Sequence, residues 1–550
     1  MSGVRVRAAW ESFGPAAEVA RRYREQGWWR SETFSEELRA AAAERPDEPA
    51  LLTWRHREDE LVALSFGELD ARADSVAGAL RDLGVRRGDV VAYQLPAWWE
   101  AAVLVVACLR VGAVVTPLPM LFGGYETERV LASTGAVACV VPEEWEGVPY
   151  ARQLLEQEPR LPALRHRIVI GDATATGAVS LHGSFHGAQP TGTARDLDPL
   201  GADEVCALLM TSGTTSETQL VVCSPNTLGV GVTDWDPPVR AGEVFATTSG
   251  MSHLTGYRQI LRTISARTPT VFSDSRDPGC WLRLIEDVGV TRLLWAAPQM
   301  LRSLAEEQRC QGRDVSSLLA VHSVGGPLSP QVVAVVQETL CPVVLNNWGM
   351  TEAGNLIGTT TGDPGDWAGR SLGRPRAWAQ IRLEPVDGKA FRLHVRGPAV
   401  CLATVGRDSG QVRWSSFQDE GWLDTGDLVE PDGAGGLRFV GRVAERIGDA
   451  WQIPVADIED ALLTHPDIDD VVLVPWPHAD GRETACAVVI SQTRLELRDV
   501  RDHVAGLGFH ESHLPTRIEH VTHFPRTELG KVRRKVLLGL LTEAAGPTLT

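Results

Sequence analysis

The chain has 550 residues, 43% hydrophobic and 23% charged, with a net charge of −18. That length exceeds one ordinary domain and calls for a large unit plus at least one smaller one. The composition is that of a soluble globular protein, and the acidic balance argues against a general nucleic-acid or anionic-membrane surface, so a nucleotide must meet local positive charge or arrive with a metal ion.

The N-terminus, Met1 to Pro15, has no apolar core of a signal peptide. Nine cysteines, an odd number with no C-x-x-C pair, suit a reducing, cytoplasmic compartment. From residue 36 to 125 helix and strand signals alternate. Ser65 and Glu68 fit a capping box, Leu69, Ala73, Val76, Leu80 and Leu83 follow at helical spacing, and Gly84 ends the run. Val90–Tyr93 reads as a short strand. Ala101–Cys108 is the most apolar span. Arg110 and Pro117 leave it too short to cross a bilayer, so it reads as a buried helix leading into a buried strand. The alternation continues to residue 345 and predicts an α/β fold with largely parallel sheets. Residues 171–203, rich in Gly, Ala, Thr, Ser and His, read as an exposed connection.

After that connection comes an apolar run, Val205–Met210, and then a Ser/Thr/Gly-rich loop, Thr211-Ser212-Gly213-Thr214-Thr215. Small residues and hydroxyls at this density let successive backbone N–H groups turn inward around phosphate oxygens, although the same composition also makes ordinary polar loops. Further on stand NNWGMTE at 346–352, GWLDTGD at 421–427 and GRVAERI at 441–447. Past 446 the pattern restarts, with helices predicted at Val455–Leu463 and Leu497–Leu507 and strands at Val471–Val474 and Ala485–Ile490, enough for a compact α+β domain. PRTELGK follows at 525–531, where Gly530 lets the chain turn and present Lys531 from a loop. There are no internal repeats, low-complexity tracts or coiled-coil heptads.

These five motifs, in this order, resemble the acyl-adenylating superfamily of acyl-CoA synthetases, aryl-acid AMP ligases, adenylation domains and luciferases. The resemblance covers nearly the whole chain. It implies a large N-terminal adenylating domain of α/β subdomains (residues 1–440), a hinge (441–446) and a small mobile α+β domain (447–550) carrying the catalytic lysine. It also implies ATP and Mg²⁺ as cofactors. Thr211, Ser212, Gly213, Thr214 and Thr215 would bind the β- and γ-phosphates. Ser216, Thr218, Gln219 and Leu220 replace the family's Gly, Pro, Lys and Gly, so one cation is missing from that loop.

Asn347, Trp348, Gly349 and Met350 would form the adenine site, with the indole against the base. Thr351 would bond the α-phosphate, and Glu352 would hold Mg²⁺ as an oxygen ligand. Asp427 would accept the ribose hydroxyls, with Arg442 on ribose or phosphate. Lys531 would bridge the substrate carboxylate and the α-phosphate, offsetting the repulsion of two anions. His253, in a stretch similar to the family's H-x-x-G segment, would lie beside the carboxylate, and Leu254, Tyr257 and Gly325 would line the acid pocket. Glu445 stands where the hinge usually has Asp.

Within the family, Arg22–Trp29 looks like the opening of aryl-acid AMP ligases and alicyclic-acid CoA ligases. SHLTGY, WGMTEAG and LGRP are similar to cyclohexanecarboxylate-type CoA ligases. Leu254 replaces the Asn of dihydroxybenzoate ligases, which argues against a catechol acid, and no Asp stands where an α-amino group would be gripped. Asp449-Ala450-Trp451 replaces the glycine turn that admits a pantetheine arm, and Ala444 replaces a usual Lys, which puts use of CoA in question. The expected partners are a small-molecule acid and an acceptor (CoA, a carrier protein or an amine), with no nucleic acid and no membrane. Two other readings stay open. Some actinomycete enzymes on this scaffold adenylate nitrite, which an aryl amine then attacks to give a diazonium. A non-catalytic nucleotide-binding relative would instead keep the fold without turnover.

Overall fold

The computed structural model describes residues 13–187, 197–211, 219–234, 236–387, 390–407, 409–414, 421–442, 447, 455–477, 483–507, 511, 514–527 and 530–545. Two nine-stranded sheets, one four-stranded antiparallel sheet and one three-stranded sheet organise them. The architecture is α/β, with a large N-terminal domain and a small C-terminal one.

The predicted capping box is formed: Ser65 Oγ accepts from Glu68 N at 3.2 Å, and Glu68 Oε2 accepts from Ser65 N at 2.9 Å. It starts the helix Phe66–Asp82, whose residues Leu69, Ala73, Val76 and Leu80 are fully buried. That face packs on the helix Trp99–Val111, in which every residue is buried, as its unbroken apolar run requires. The helix stops at Gly112, with φ of +82°, and a Cβ there would lie 2.5 Å from Asp198 O. The chain then enters the strand Val114–Pro117 in the middle of the first sheet.

The second large sheet runs, in spatial order, through Arg374–Pro375, Gly354–Gly358, Val344–Met350, Ala320–Ser323, Arg292–Ala296, Phe245–Thr247, Thr270–Ser273, Pro49–Arg55 and Glu60–Ser65. Its pairs from Val344–Met350 to Pro49–Arg55 are parallel. The composition of 171–203 predicts an exposed connection. Instead, Leu181 and Phe185, at the helical turn His182–Phe185, are buried in the main core, with Phe185 edge-on to Trp99. Two isolated apolar residues give too short a pattern for periodicity to register.

In the small domain, Ile468–Pro477 and Glu483–Ser491 pair antiparallel, and Arg517–His520 adds a parallel third strand. The helices Val455–Leu462, Leu497–Gly506 and Arg534–Ala545 accompany them. The third strand and the last helix were not anticipated. Arg517–His520 is four residues long and half-buried throughout, so it has neither length nor alternation to reveal it.

Candidate active site

Four neighbouring parallel strands of the second sheet end on the same rim: Phe245–Thr247, Arg292–Ala296, Ala320–Ser323 and Val344–Met350. The crevice beyond the carboxyl ends of such strands is where open α/β sheets collect ligand-binding groups.

The loop after Phe245–Thr247 turns into the helix Leu254–Ala266, with His253 at its N-cap. Gly256 makes this possible. A Cβ at that position would lie 2.2 Å from Gly250 O, so only glycine lets the first helical turn pack on the incoming loop. The loop after Ala320–Ser323 carries Gly325 at φ of +95°. A Cβ on Gly325 would lie 4.0 Å from Lys531 Cε, so the lysine from the small domain reaches over this bare backbone.

Lys531 comes from a tight turn. Thr527 N donates to Lys531 O at 2.8 Å, Arg526 Nη1 donates to Gly530 O at 2.6 Å, and Gly530 has φ of +79°. The turn lies against the large domain, because a Cβ on Gly530 would be 3.3 Å from Gln299 Oε1. A second tie between the domains is Arg302 Nη1 donating to Asp469 O at 3.0 Å.

The strand Val344–Met350 hairpins back as Gly354–Gly358 around Thr351-Glu352-Ala353. Gly349 is needed there, since a Cβ would fall 2.3 Å from Gly354 O. Trp348 is buried and its Nε1 donates to Asp427 Oδ2 at 2.8 Å. Asp427 is 2% exposed and sits opposite Arg442 in the antiparallel ladder, with Arg442 Nε 2.7 Å from its Oδ1. The GWLDTGD and GRVAER motifs therefore meet as one cross-strand pair. Glu352 is half-buried. Burial pushes its carboxyl up, while its own backbone hydrogen bond and the charges of Arg442 and Lys531 draw it down.

Lys531, Gly325, Glu352, Asp427, Arg442 and Trp348 thus converge. Thr351 and Met350 stand half-exposed beside them. Thr211 ends the strand Ala207–Met210, its N donating to Gln219 O at 3.1 Å, whereas Ser212, Gly213, Thr214 and Thr215 lie outside the described residues. So do Glu445 and Asp449-Ala450-Trp451. Tyr257 is fully buried in the main core, and Leu254 packs against that core.

A cavity lies beside the site that the sequence reading did not foresee. Its walls include Arg258, Arg262, Trp295, His322, Asn347 and Arg376. Arg258 and Arg262 are 3% and 5% exposed, one turn apart on the helix Leu254–Ala266. Arg376 Nη2 donates to Asn347 Oδ1 at 3.0 Å, and Arg262 stacks 4.4 Å over the Trp295 ring. Trp295 has φ of +60°, a left-handed conformation that bulky residues rarely hold unless their surroundings impose it. His322 is buried, and burial together with the nearby guanidiniums pulls its ring down to about 3, so it is neutral. Asn347, expected at the nucleotide, faces this cavity, one residue before Trp348. Sequence offered a signal only in the i, i+4 arginine pair, which on an amphipathic helix reads as a solvated face.

A two-domain α/β scaffold with a lysine turn held over the strand ends defines an adenylate-forming enzyme. The AMP-binding enzyme model matches residues 38–403 and the AMP-binding enzyme C-terminal domain matches 457–531. The chain belongs to the AMP-binding enzyme family, whose ligase-named members identify it as an AMP-forming acid ligase. The salicyl-AMP ligase / salicyl-S-ArCP synthetase of Mycobacterium tuberculosis is 29% identical, over 97% of this chain and 95% of that protein. The 2-hydroxy-7-methoxy-5-methyl-1-naphthoate–CoA ligase of Streptomyces carzinostaticus is also 29% identical, over 94% and 95%. In fold, the chain is similar to the anthranilate CoA ligase AuaEII solved with anthranoyl-AMP, with a TM-score of 0.82 over 94% of this chain and 98% of that one, at 21% identity. No helix among the described residues is long and apolar enough to cross a membrane.

Proposed function

We propose that the enzyme activates an aryl or alicyclic carboxylic acid as its acyl-adenylate. The acid's carboxylate oxygen attacks the α-phosphorus of ATP, the bond to the bridging oxygen breaks, and pyrophosphate leaves. The observation that carries this reading is the approach of Lys531 to Gly325, with Glu352 and Arg442 near enough to act on one another's charge. An ammonium there lowers the repulsion between the incoming carboxylate and the phosphate, and it orients the attack.

Asp427 receives the ribose hydroxyls, Trp348 backs the adenine, and the loop from Thr211 to Thr215 cradles the outer phosphates. The donor set suits Mg²⁺, which takes one or two carboxylates and completes its shell with phosphate and water. Glu352, with the Thr351 hydroxyl beside it, would hold the ion, which neutralises phosphate charge when bound. His253 stands at the carboxylate end of the acid site. Residues 1–440 form the adenylating domain, 441–446 the hinge and 447–550 the mobile domain. Rotation about Glu445 separates the two half-reactions.

The acyl group then passes to a carrier protein or an amine in preference to free CoA, because the sequence carries Asp449-Ala450-Trp451 where relatives that use CoA have a glycine turn, and a side chain as large as an indole would narrow the space a pantetheine arm needs. A second reading has nitrite as the activated anion and an aryl amine as the nucleophile. The guanidinium-lined cavity favours it to the extent that it suits polar, anionic reactants.

The test incubates the enzyme with ATP, Mg²⁺ and a panel of aryl and alicyclic acids. Each is tried with and without CoA, and separately with nitrite plus an aminoaryl acid, while AMP is counted and products are identified by mass. The expected outcome is AMP release with an acid and little thioester. Efficient thioester formation overturns the reading of Trp451. AMP that appears only with nitrite and an aryl amine moves the activity to the second reading, and none under any combination leaves the non-catalytic one.

A further inference from the structure

Lys531 is one of three lysines in the chain, with Lys389 and Lys535. A lysine side chain is a long, flexible stem, so whatever fixes its ammonium must begin with the backbone that carries it. The peptide unit joining Gly530 to Lys531 is held at both ends. Arg526 Nη1 donates to Gly530 O at 2.6 Å, and Lys531 N donates to Thr527 Oγ1 at 3.2 Å. Thr527 N also donates to Lys531 O at 2.8 Å, and Arg526 bridges Val532 in antiparallel fashion. A peptide unit is planar, so gripping its oxygen and its nitrogen fixes its plane and, with it, the position of the Lys531 Cα.

Arg526 is itself anchored. Its Nη2 is paired with Asp470 Oδ2, and its guanidinium lies 5.6 Å from the centre of the Phe524 ring, which is buried in a core cluster of the small domain with Val472, Val474 and Leu537. One guanidinium therefore spans from the strand Ile468–Pro477 to the lysine turn. A planar fork with several fixed donors can hold two acceptors at once, whereas an ammonium is a compact point charge.

The same strand meets the large domain. Ile468 pairs with Ser491 and Asp470 with Ile490, so Asp469 is the extra residue of a β-bulge, left out of the ladder. Its carbonyl accepts from Arg302 Nη1 at 3.0 Å. Burial pushes the Asp470 carboxyl up, while Arg526, a hydrogen bond from Val471 N and the charge of Arg302 draw it down. Gln299 and Arg302, three residues apart on the helix Pro298–Gln311, thus meet the turn at Gly530 and the strand at Asp469.

Resting on the adenylation reading, we infer that Arg526 is the positioning residue for Lys531, with Asp470 as its anchor. The pair is a strut that carries the position of the docked strand into the turn presenting the lysine. It acts on the reaction only through where Lys531 stands when the small domain is docked.

The test reads ATP–pyrophosphate exchange on the full-length enzyme, with the aryl or alicyclic acid that releases most AMP. Arg526→Gln should lower kcat for exchange by about tenfold or more, as misplacing a reacting group does, with KM for ATP changed by less than about threefold. Arg526→Lys keeps a cation beside Asp470, and Asp470→Asn keeps an acceptor for the guanidinium. Both should fall between wild type and Arg526→Gln, and they keep the experiment decisive if Arg526→Gln misfolds, which thermal unfolding reports. In a Lys531→Ala background Arg526→Gln should cost nothing further, because the two residues act as one unit. A second readout needs no acid. After reductive methylation with ¹³C-formaldehyde, the Lys531 signal, identified by its absence in Lys531→Arg, should move on adding a non-hydrolysable ATP analogue with Mg²⁺ in the wild type, and less in Arg526→Gln.

Wild-type exchange in Arg526→Gln overturns the inference, as does the same fold-loss with and without Lys531. So does a Lys531 signal that stays still in the wild type or moves equally in both proteins. A strong loss in Lys531→Ala with normal exchange in Arg526→Gln removes the strut and leaves adenylation standing. No exchange from any acid contradicts adenylation, and the methyl signal alone then decides whether the strut positions Lys531.

Discussion

At the residue scale, Asp427 carries two loads at once. It anchors the Trp348 indole and pairs with Arg442, and in the proposed mechanism it also receives the ribose. Removing a buried charged partner costs about 1.5–3 kcal/mol for each hydrogen bond lost. Asp427→Ala is therefore predicted to raise KM for ATP roughly tenfold or more and to lower the melting temperature. Asp427→Asn keeps an acceptor for the indole, so it should recover much of the stability and little of the ATP affinity. Steady-state kinetics and thermal unfolding on both variants separate the two roles. An unchanged KM in Asp427→Ala would remove the ribose assignment.

Legibility also varied residue by residue. Asp427, Arg442 and Lys531 were visible because each sits in a short motif whose chemistry is local. Arg376 was not, because it is brought to Arg258 and Arg262 by strand order rather than by sequence neighbourhood. Trp295's left-handed backbone leaves no mark in composition at all.

At the element scale, the helix Leu254–Ala266 links the core to the site. Its inner residues Tyr257, Ile260, Leu261 and Ile264 are buried in the main cluster, while Arg258 and Arg262 face the cavity. That division places Tyr257 in the core: a tyrosine one position from Arg258 points roughly 100° away around the helix. The helix can be set this deeply only because Gly256 lacks a side chain. Gly256→Val is predicted to destabilise the protein by about 2–4 kcal/mol through overpacking against backbone and to impair acid use more than ATP binding. Chemical denaturation and separate titrations of ATP and acid check it. A variant of wild-type stability would contradict the 2.2 Å approach to Gly250 O.

Elements with a strong period were readable before the fold was seen. The capped helix from Phe66 and the wholly apolar helix from Trp99 are examples. The short strand Arg517–His520 was not, because tertiary pairing with Glu483–Ser491 makes it a strand, rather than its own propensity.

At the scale of the whole molecule, the large domain gathers strand ends and a cationic cavity, and the small domain supplies one lysine on a turn. The contacts between them near the turn include Gly530 against Gln299 and Arg302 against Asp469. Polar contacts of this kind suit a domain that docks for one step and leaves for the next. The two-domain division was legible because the apolar pattern restarts after residue 446. The docking was not, because it depends on surfaces that meet only in the folded chain.

The central claim is that Lys531, delivered by the small domain, drives adenylate formation without being needed to bind ATP. The most direct measurement compares ATP–pyrophosphate exchange and ATP binding in the wild-type enzyme and Lys531→Ala, using an acid that supports AMP release. Exchange is predicted to fall by about 100-fold or more, the scale of losing one preorganised charge at a transition state, with ATP affinity changed by less than about threefold. Near-normal exchange in Lys531→Ala would contradict the claim, as would a loss of exchange fully explained by lost ATP binding.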